Sequence, residues 1–481
     1  MPNCTRLCAL LLTLLDPVLS GRSSEDIDVL VFLPQNNSFL FSSARVAPAL
    51  RYAQRRLQAG EGNFSGFHFN LHFQSSDSPN EALFALVDRS CARKPDLILG
   101  PVREYEAAGV ARLASHWDIP MISAGALAAG FGNKNSEFSQ LTRIAPHYVK
   151  MAETFSALFE RFGWRSALLL YEEDKQERNC YFTLEGVYHL MSDYPVSQYP
   201  ILEGDPLHVD EIIHSMNDSE VVIMCMGAER IRGIMLAAHR HQLTRGMKIF
   251  FSIELFNASS YGDGSWRRDD EHDSEAKQAY ASLNTITLLR TVKPEFENFS
   301  LEMKSSAEKE GIYDCKDCGS VNMFVEGFHD AMLLYAIALH EAMKHGYSKK
   351  NGTEVTSRMW NRTIEGIAGQ ISIDTNGDRN GDFSVMAMTD VEAGTFEVVA
   401  NYFGVNRTLE LLPSFRAEHF TLKERHEASP LPPEKSCGLG VSALTGVIVG
   451  AVLGAGMLVA FNFFRKKLQD YHLAAHAWQR A

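Results

Sequence analysis

The chain has 481 residues, 45% of them hydrophobic and 22% charged, with a formal net charge of −13. That apolar share supports a packed core and excludes a disordered polyelectrolyte. The acidic balance disfavours nucleic acid as a partner and favours cationic ligands.

Residues 1–20 read as a secretory signal. Arg6 leads an apolar stretch of nine residues, Leu7–Leu15, and Val18 and Ser20 are small residues spaced for cleavage. Such a stretch is too short for a hydrocarbon core, which takes ~20 residues. From Ile27, short apolar runs alternate with helical spacing. IDVLVFLP, FNLHFQSSD, DLILGP and IPMISAG read as strands, and ARVAPALRYAQRRLQ, EALFALVDRSCAR and EAAGVARLASHW as helices. The order returns after Ile144. AETFSALFERFGW, FTLEGVYHLM and AERIRGIMLAAHRH are helical, and SALLLYEED, SEVVIMCMG and MKIFFSIE are strands. Alternation of this kind means parallel sheets covered on both faces. The expected fold class is α/β, with two doubly wound lobes over residues 21–412. A long helix, VNMFVEGFHDAMLLYAIALHEAM, and a hairpin, GQISIDTNGDRNGDFSVMAM, are expected to cross back over both lobes. Ligands in such sheets gather at the carboxyl ends of strands and between lobes.

Residues 413–437 lose periodicity, contain SPLPPEKS and read as a juxtamembrane stalk. Residues 438–464 hold no charge and are long enough to span a bilayer. Arg465, Lys466 and Lys467 follow, which favours the cytoplasmic side and an extracellular N-terminus, as in a single-pass cell-membrane protein. Gly446, Gly450 and Gly454 recur on one face of the span, a spacing that lets two such helices approach closely. Residues 465–481 form a seventeen-residue tail with a charge of +3, which leaves the outer part near −16.

Eight N-x-S/T sequons, among them Asn257 and Asn361, predict a glycoprotein. Without Cys4 and Cys8 of the signal, six cysteines remain: Cys91, Cys180, Cys225, Cys315, Cys318 and Cys437. In an oxidising compartment these favour disulfides over metal. Cys437 lies beside the membrane with no near partner in sequence, and its expected mate is the same residue of a second chain.

No metal centre and no enzyme is expected. GALAAGFG lacks the lysine of a phosphate loop, and no G-x-S-x-G elbow occurs. His340 and His345 are five apart, where zinc needs i, i+4. DTNGDRNGD mimics a calcium loop but has Arg379 at the glycine position and Val385 at the glutamate position, so a tight turn explains it better.

The stretches LTRIAPHYVKM, ERNCYFTLEGV, IRGIMLAAHRH, FFSIELFNASSYGDGSW, TLLRTVKPEFE, MFVEGFHDA and GIAGQISIDTNGDRNGDFSVMAMTDVEAGT strongly resemble natriuretic peptide receptors, and most of all their type C, or clearance, branch. The likeness runs from about Ile27 to Lys467. It implies a type I periplasmic-binding-protein-like fold and a disulfide-linked homodimer holding one natriuretic peptide. It also implies clearance of the hormone by internalisation, with no guanylyl cyclase on the chain. The alternative is a signalling receptor acting through an inhibitory G protein or a partner receptor. The tail LQDYHLAAHAWQRA has no basic run of the kind associated with that coupling.

By the same resemblance, Tyr105, Tyr171, Tyr181, Leu184, Glu185, Tyr188 and Ile201 face the hormone. Tyr181, Leu184, Glu185 and Tyr188 share one helix face by their spacing. The segment SQYPIL around Ile201 offers backbone groups to an extended peptide. Chloride is implied near Ser76, Val102 and Arg103, as an anion nest. Cys180 and Cys225 match a family disulfide. A second family disulfide is replaced here by Ser78 and Arg103, a loss expected to loosen the chloride loop, although Arg103 could itself attract the anion.

Overall fold

The computed structural model describes residues 25–60, 64, 66–255, 264–289, 293–309 and 319–423. The expected signal, membrane span and tail lie outside the described residues, as do Cys315, Cys318, Cys437 and Asn257. Among the described residues no helix is long and apolar enough to cross a membrane.

The first strand, β1 (Glu25–Leu33), is buried from Ile27 onward with no alternation, as a central parallel strand covered on both sides requires. It lies in a sheet with β2 (Phe67–Ser75), β3 (Leu97–Leu99), β4 (Met121–Ser123) and β5 (Leu141–Arg143), in the order β2-β1-β3-β4-β5, all parallel. The intervening helices are α1 (Ser43–Gln58), α2 (Pro79–Ala92) and α3 (Glu104–Trp117).

The second lobe repeats this plan. It contains α4 (Tyr148–Phe162), β6 (Ala167–Glu173), α5 (Asn179–Leu190), β7 (Val196–Leu202), α6 (Val209–Ser215), β8 (Val221–Cys225), α7 (Ala228–Arg240), β9 (Ile249–Ile253), α8 (Asp273–Tyr280) and β10 (Leu283–Leu288). Its parallel strands run β7-β6-β8-β9-β10, the same order as in the first lobe. Successive residues of one strand serve opposite layers. Leu169 and Tyr171 pack under α4 and α5, and Leu168 and Leu170 pack under α6, α7 and α8. The α/β, two-lobed expectation holds.

The chain then returns to the first lobe through α9 (Pro294–Lys309), α10 (Met323–Lys344), α11 (Gly352–Met359), β11 (Arg362–Glu365) and β12 (Gln370–Ile373). Asn322 caps α10 by accepting from the N–H groups of Phe324 and Val325. Phe328, Met332, Tyr335 and Leu339 of α10 are fully buried against the first sheet, each contributing roughly 1.5–3 kcal/mol. The chain ends in the second lobe with β13 (Asp382–Asp390), β14 (Thr395–Phe403) and β15 (Thr408–Leu411), antiparallel additions beside β10.

Two expectations need correction. GQISIDTNGDRNGDFSVMAM is not one hairpin. Its first strand, β12, pairs with β11, while its second, β13, pairs with β10 and β14 in the other lobe. The turn between them is a lobe crossing. Gly377 there adopts φ 76, and a Cβ would stand 2.3 Å from the Trp360 ring, so both backbone and space demand glycine. The folded region also continues past 412, to Lys423. Phe420 is buried, accepts a hydrogen bond on its carbonyl from the Trp164 indole at 3.2 Å, and stacks with Phe162 and Phe415. Aromatic burial without regular secondary structure leaves no periodicity to read.

Candidate functional site

The carboxyl ends of β1 and β3, and of β6 and β8, are the points where strand order reverses in each lobe, and ligands collect at such points. Tyr171 lies near the carboxyl end of β6 and Cys225 at the end of β8. The Cys180–Cys225 disulfide ties the first turn of α5 to β8. Gly186 brings α5 onto α4, since a Cβ there would stand 2.8 Å from that of Tyr148. The helix is thereby pinned at its first turn and at its middle.

This arrangement assembles an aromatic ledge across the lobe junction. Tyr171 meets Tyr181 at 6.2 Å between ring centroids, Tyr181 meets Phe182 at 5.4 Å, and Phe182 of the second lobe meets Tyr105 of the first at 5.9 Å. All three pairs are edge-to-face, a favoured geometry. Arg178 lies 3.9 Å over the Tyr181 ring, pairs with Glu173 at 2.6 Å, and donates to the Tyr105 hydroxyl. Asp174 orders this turn by accepting from the N–H groups of Gln176, Glu177 and Arg178. Glu185 is half-buried and its carboxyl is pushed up by burial, against the pull of His189 and Arg178. Tyr188 is exposed one turn further along α5. An aromatic floor with Glu173 and Glu185 at its margin suits a peptide with apolar and cationic side chains.

Not every expected contact reaches this face. Leu184 is 1% exposed and lies in the core beneath the helix. Ile201 is buried on the opposite side of the sheet, among Leu168, Leu170 and Met224. The register explains the latter. Ile201 pairs with Glu172, whereas Pro200 pairs with Tyr171 and Leu202 with Glu173, so Pro200 and Leu202 share the aromatic face. Leu202 is exposed. Strand β7 is an edge, bonded to β6 alone, so its outer backbone groups remain available as the reading of SQYPIL requires. Arg178, Phe182, Glu173 and Leu202 were not singled out from sequence. The φ of 54 at Arg178 and the pairing of β7 have no sequence signature of their own.

The expected anion site has a different content. Arg103 is largely buried, and its Nη2 donates to the carbonyls of Ser76 at 3.3 Å and Asp77 at 2.7 Å and to Glu106 at 2.5 Å. Its Nη1 donates to Glu177 at 3.2 Å, and its plane lies 4.9 Å from the Phe39 ring. The guanidinium thus ties the loop at Ser76 and Asp77 to the start of α3, at the position where the family disulfide is lost. Ser76 and Val102 are buried, and the Ser76 N–H is taken by Leu33 O. Glu104 closes the cluster. It is buried, accepts from Leu127 N–H at 3.2 Å, and burial pushes its carboxyl up to about 7, with Glu177 and Glu106 adding to the rise. Arg103 is already paired with two acidic side chains, Glu106 and Glu177, so its charge is not free to hold a resident halide.

A carboxyl raised in this way binds its proton more readily when folded. Its contribution to stability is complete below the unfolded value of 4.5 and is lost as pH rises towards about 7. Glu104→Gln should flatten that part of the profile, read as a thermal midpoint that no longer falls between pH 5 and 7. An unchanged slope would remove Glu104 as its source.

A second buried cluster fixes the lobe crossing. Arg143 is fully buried and donates to both carboxylate oxygens of Asp378, at 2.6 and 2.8 Å, and to the carbonyls of Ala126 and Ala128. Lys134 joins Asp378 at 3.0 Å. Burial pushes the Asp378 carboxyl up, but Arg143 and Lys134 outweigh it and hold it well below the carboxylate range. Burial, then Arg143, brings Lys134 down to about 8. Ala126 adopts φ 53, and both clusters grip its loop, one through Leu127 N–H and the other through the Ala126 and Ala128 carbonyls. The turn that mimicked a calcium loop is thus an anchor for Arg143, and among the described residues no group of side chains is arranged to hold a metal.

Residues 45–391 match the family model described as a receptor family ligand binding region. The chain is 56% identical over 464 residues to "Atrial natriuretic peptide receptor 3" of Rattus norvegicus, covering 92% of this chain and 86% of that one. It is likewise 56% identical over 463 residues to the Homo sapiens protein of that name, covering 92% and 84%. The chain belongs to the natriuretic peptide receptor family. "Atrial natriuretic peptide receptor 2" of Rattus norvegicus is 30% identical over 489 residues, which are 95% of this chain but 45% of that protein. This family member therefore sides with receptor 3 in sequence and in the extent of the match. The Cys180–Cys225 bond expected from the resemblance is present. Cys91 is exposed and free, and Asn361 is exposed, as a glycan acceptor must be.

Proposed function

We propose that this chain is a single-pass cell-surface receptor that binds natriuretic peptide hormones and clears them by internalisation, without a cyclase of its own. The observation that carries the reading is the aromatic ledge of Tyr105, Tyr171, Tyr181 and Phe182, built from both lobes at their strand-order reversals. A peptide seated there touches both lobes at once, and the free edge of β7 gives its backbone a partner. The relatives' names supply the ligand class. Two chains linked through Cys437 would present two such ledges to one hormone.

Cells displaying the chain should carry a labelled natriuretic peptide into an acid-resistant compartment with no rise in cyclic GMP. Peptide that stays strippable from the surface, or a cyclic GMP response intrinsic to the chain, would overturn the reading.

A further inference from the structure

Arg103 stands at the amino end of α3 in the first lobe, and Glu177 stands in the loop before α5 in the second. Their contact at 3.2 Å crosses the lobe junction. We infer that Arg103 is an ionic clasp between the lobes that takes the place of the chloride implied by the family resemblance, so that hormone binding by this chain does not depend on halide. The inference rests on the hormone-binding function proposed above.

Three features support it. The guanidinium already holds the loop at Ser76 and Asp77 through two carbonyls, so the loop needs no ion to organise it. The positive charge is met by Glu106 and Glu177, and a free anion would have to displace these tethered partners. The carboxylates are tethered, whereas a dissolved ion must be drawn from solvent at an entropic cost. The clasp also leads to the ledge. Glu177 accepts from the Asn179 side chain at 3.0 Å, and Asn179 is the first residue of α5, which carries Tyr181, Phe182 and Tyr188. Arg103 is a positioning residue in this account. It acts on the hormone through Glu177 and α5.

The test uses the full chain in detergent, compared in sodium chloride and in sodium gluconate at equal ionic strength. Thermal midpoint and affinity for a radiolabelled natriuretic peptide are both read. The clasp predicts the same midpoint in the two salts and an affinity that agrees within about twofold, because a resident anion would stabilise the folded state by linkage. A midpoint or affinity that rises saturably with chloride overturns it. A mutant cycle separates a clasp from a merely structural arginine. Arg103→Gln and Glu177→Gln should each weaken the peptide by about tenfold, and the double variant should be no weaker than either. Additive losses overturn the clasp. If no peptide binds in either salt, the proposed function fails, and the thermal comparison still decides whether chloride is bound.

Discussion

Asp378→Asn should lower the unfolding free energy by about 3–5 kcal/mol, the cost of leaving buried charge uncompensated. Arg143 is 0% exposed and Lys134 is also buried, so neither can turn to water when the carboxylate is gone. Surface pairs set the contrast. Arg55 and Glu302 are in contact at 2.9 Å but mostly solvated, and breaking such a pair costs about 0–1 kcal/mol. The same linkage gives a pH dependence of opposite sign to that of Glu104. A carboxyl held below its unfolded value of 3.8 contributes stability above that value and loses it as pH falls further. Denaturant unfolding of wild type and variant at pH 7 checks the first point. A loss under about 1 kcal/mol would mean that the cluster is not an anchor of the lobe crossing.

Tyr181→Ala should weaken natriuretic peptide binding by about thirtyfold, or ~2 kcal/mol, the scale of an interface anchor. Tyr181 is the centre of the ledge, touching Tyr171, Phe182 and Arg178 together. Tyr199→Ala serves as the comparison. Tyr199 lies on the opposite side of the same sheet, where its hydroxyl donates to Glu211, and its removal should leave affinity within about twofold. Leu184 is a poor choice for such a test, because it is part of the core and its truncation would act through stability. Equal losses in Tyr181→Ala and Tyr199→Ala would remove the ledge as the contact surface.

Both lobes were legible because their strands are buried on two faces and read as unbroken apolar runs, such as VVIMC in β8, all of whose residues are buried. Strand β7 was harder. Its sequence VSQYPIL mixes polar residues and a proline, since an edge strand is solvated on one side. That mixture hid the register, and with it the fact that Ile201 points away from Tyr171 while Leu202 does not. The hairpin reading of 369–388 failed for a related reason. Two alternating strands around an Asn-Gly turn look alike whether they pair with each other or part into separate sheets.

Charged clusters were the least visible. Arg143 and Asp378 are 235 residues apart in the chain, and nothing local to either marks the other. The replacement of a disulfide by Ser78 and Arg103 was visible as a loss. Its compensation was not, because it lies in the direction of one long side chain towards the Ser76 and Asp77 carbonyls and Glu177. The ledge stood between these extremes. Tyr171 and Tyr181 were named from the sequence, whereas Arg178 and Phe182 emerge only when α3 and α5 face each other across the junction.

The most direct measurement is photochemical capture of a labelled natriuretic peptide by the full chain displayed on cells, with a photoreactive residue at Tyr188 or, for comparison, at exposed Phe84 on α2. Capture at position 188, competed away by unlabelled peptide and absent at position 84, is the result expected. Saturable binding with capture at neither position, or at position 84 alone, would contradict the ledge as the hormone's seat, and no binding at all would contradict the receptor function itself.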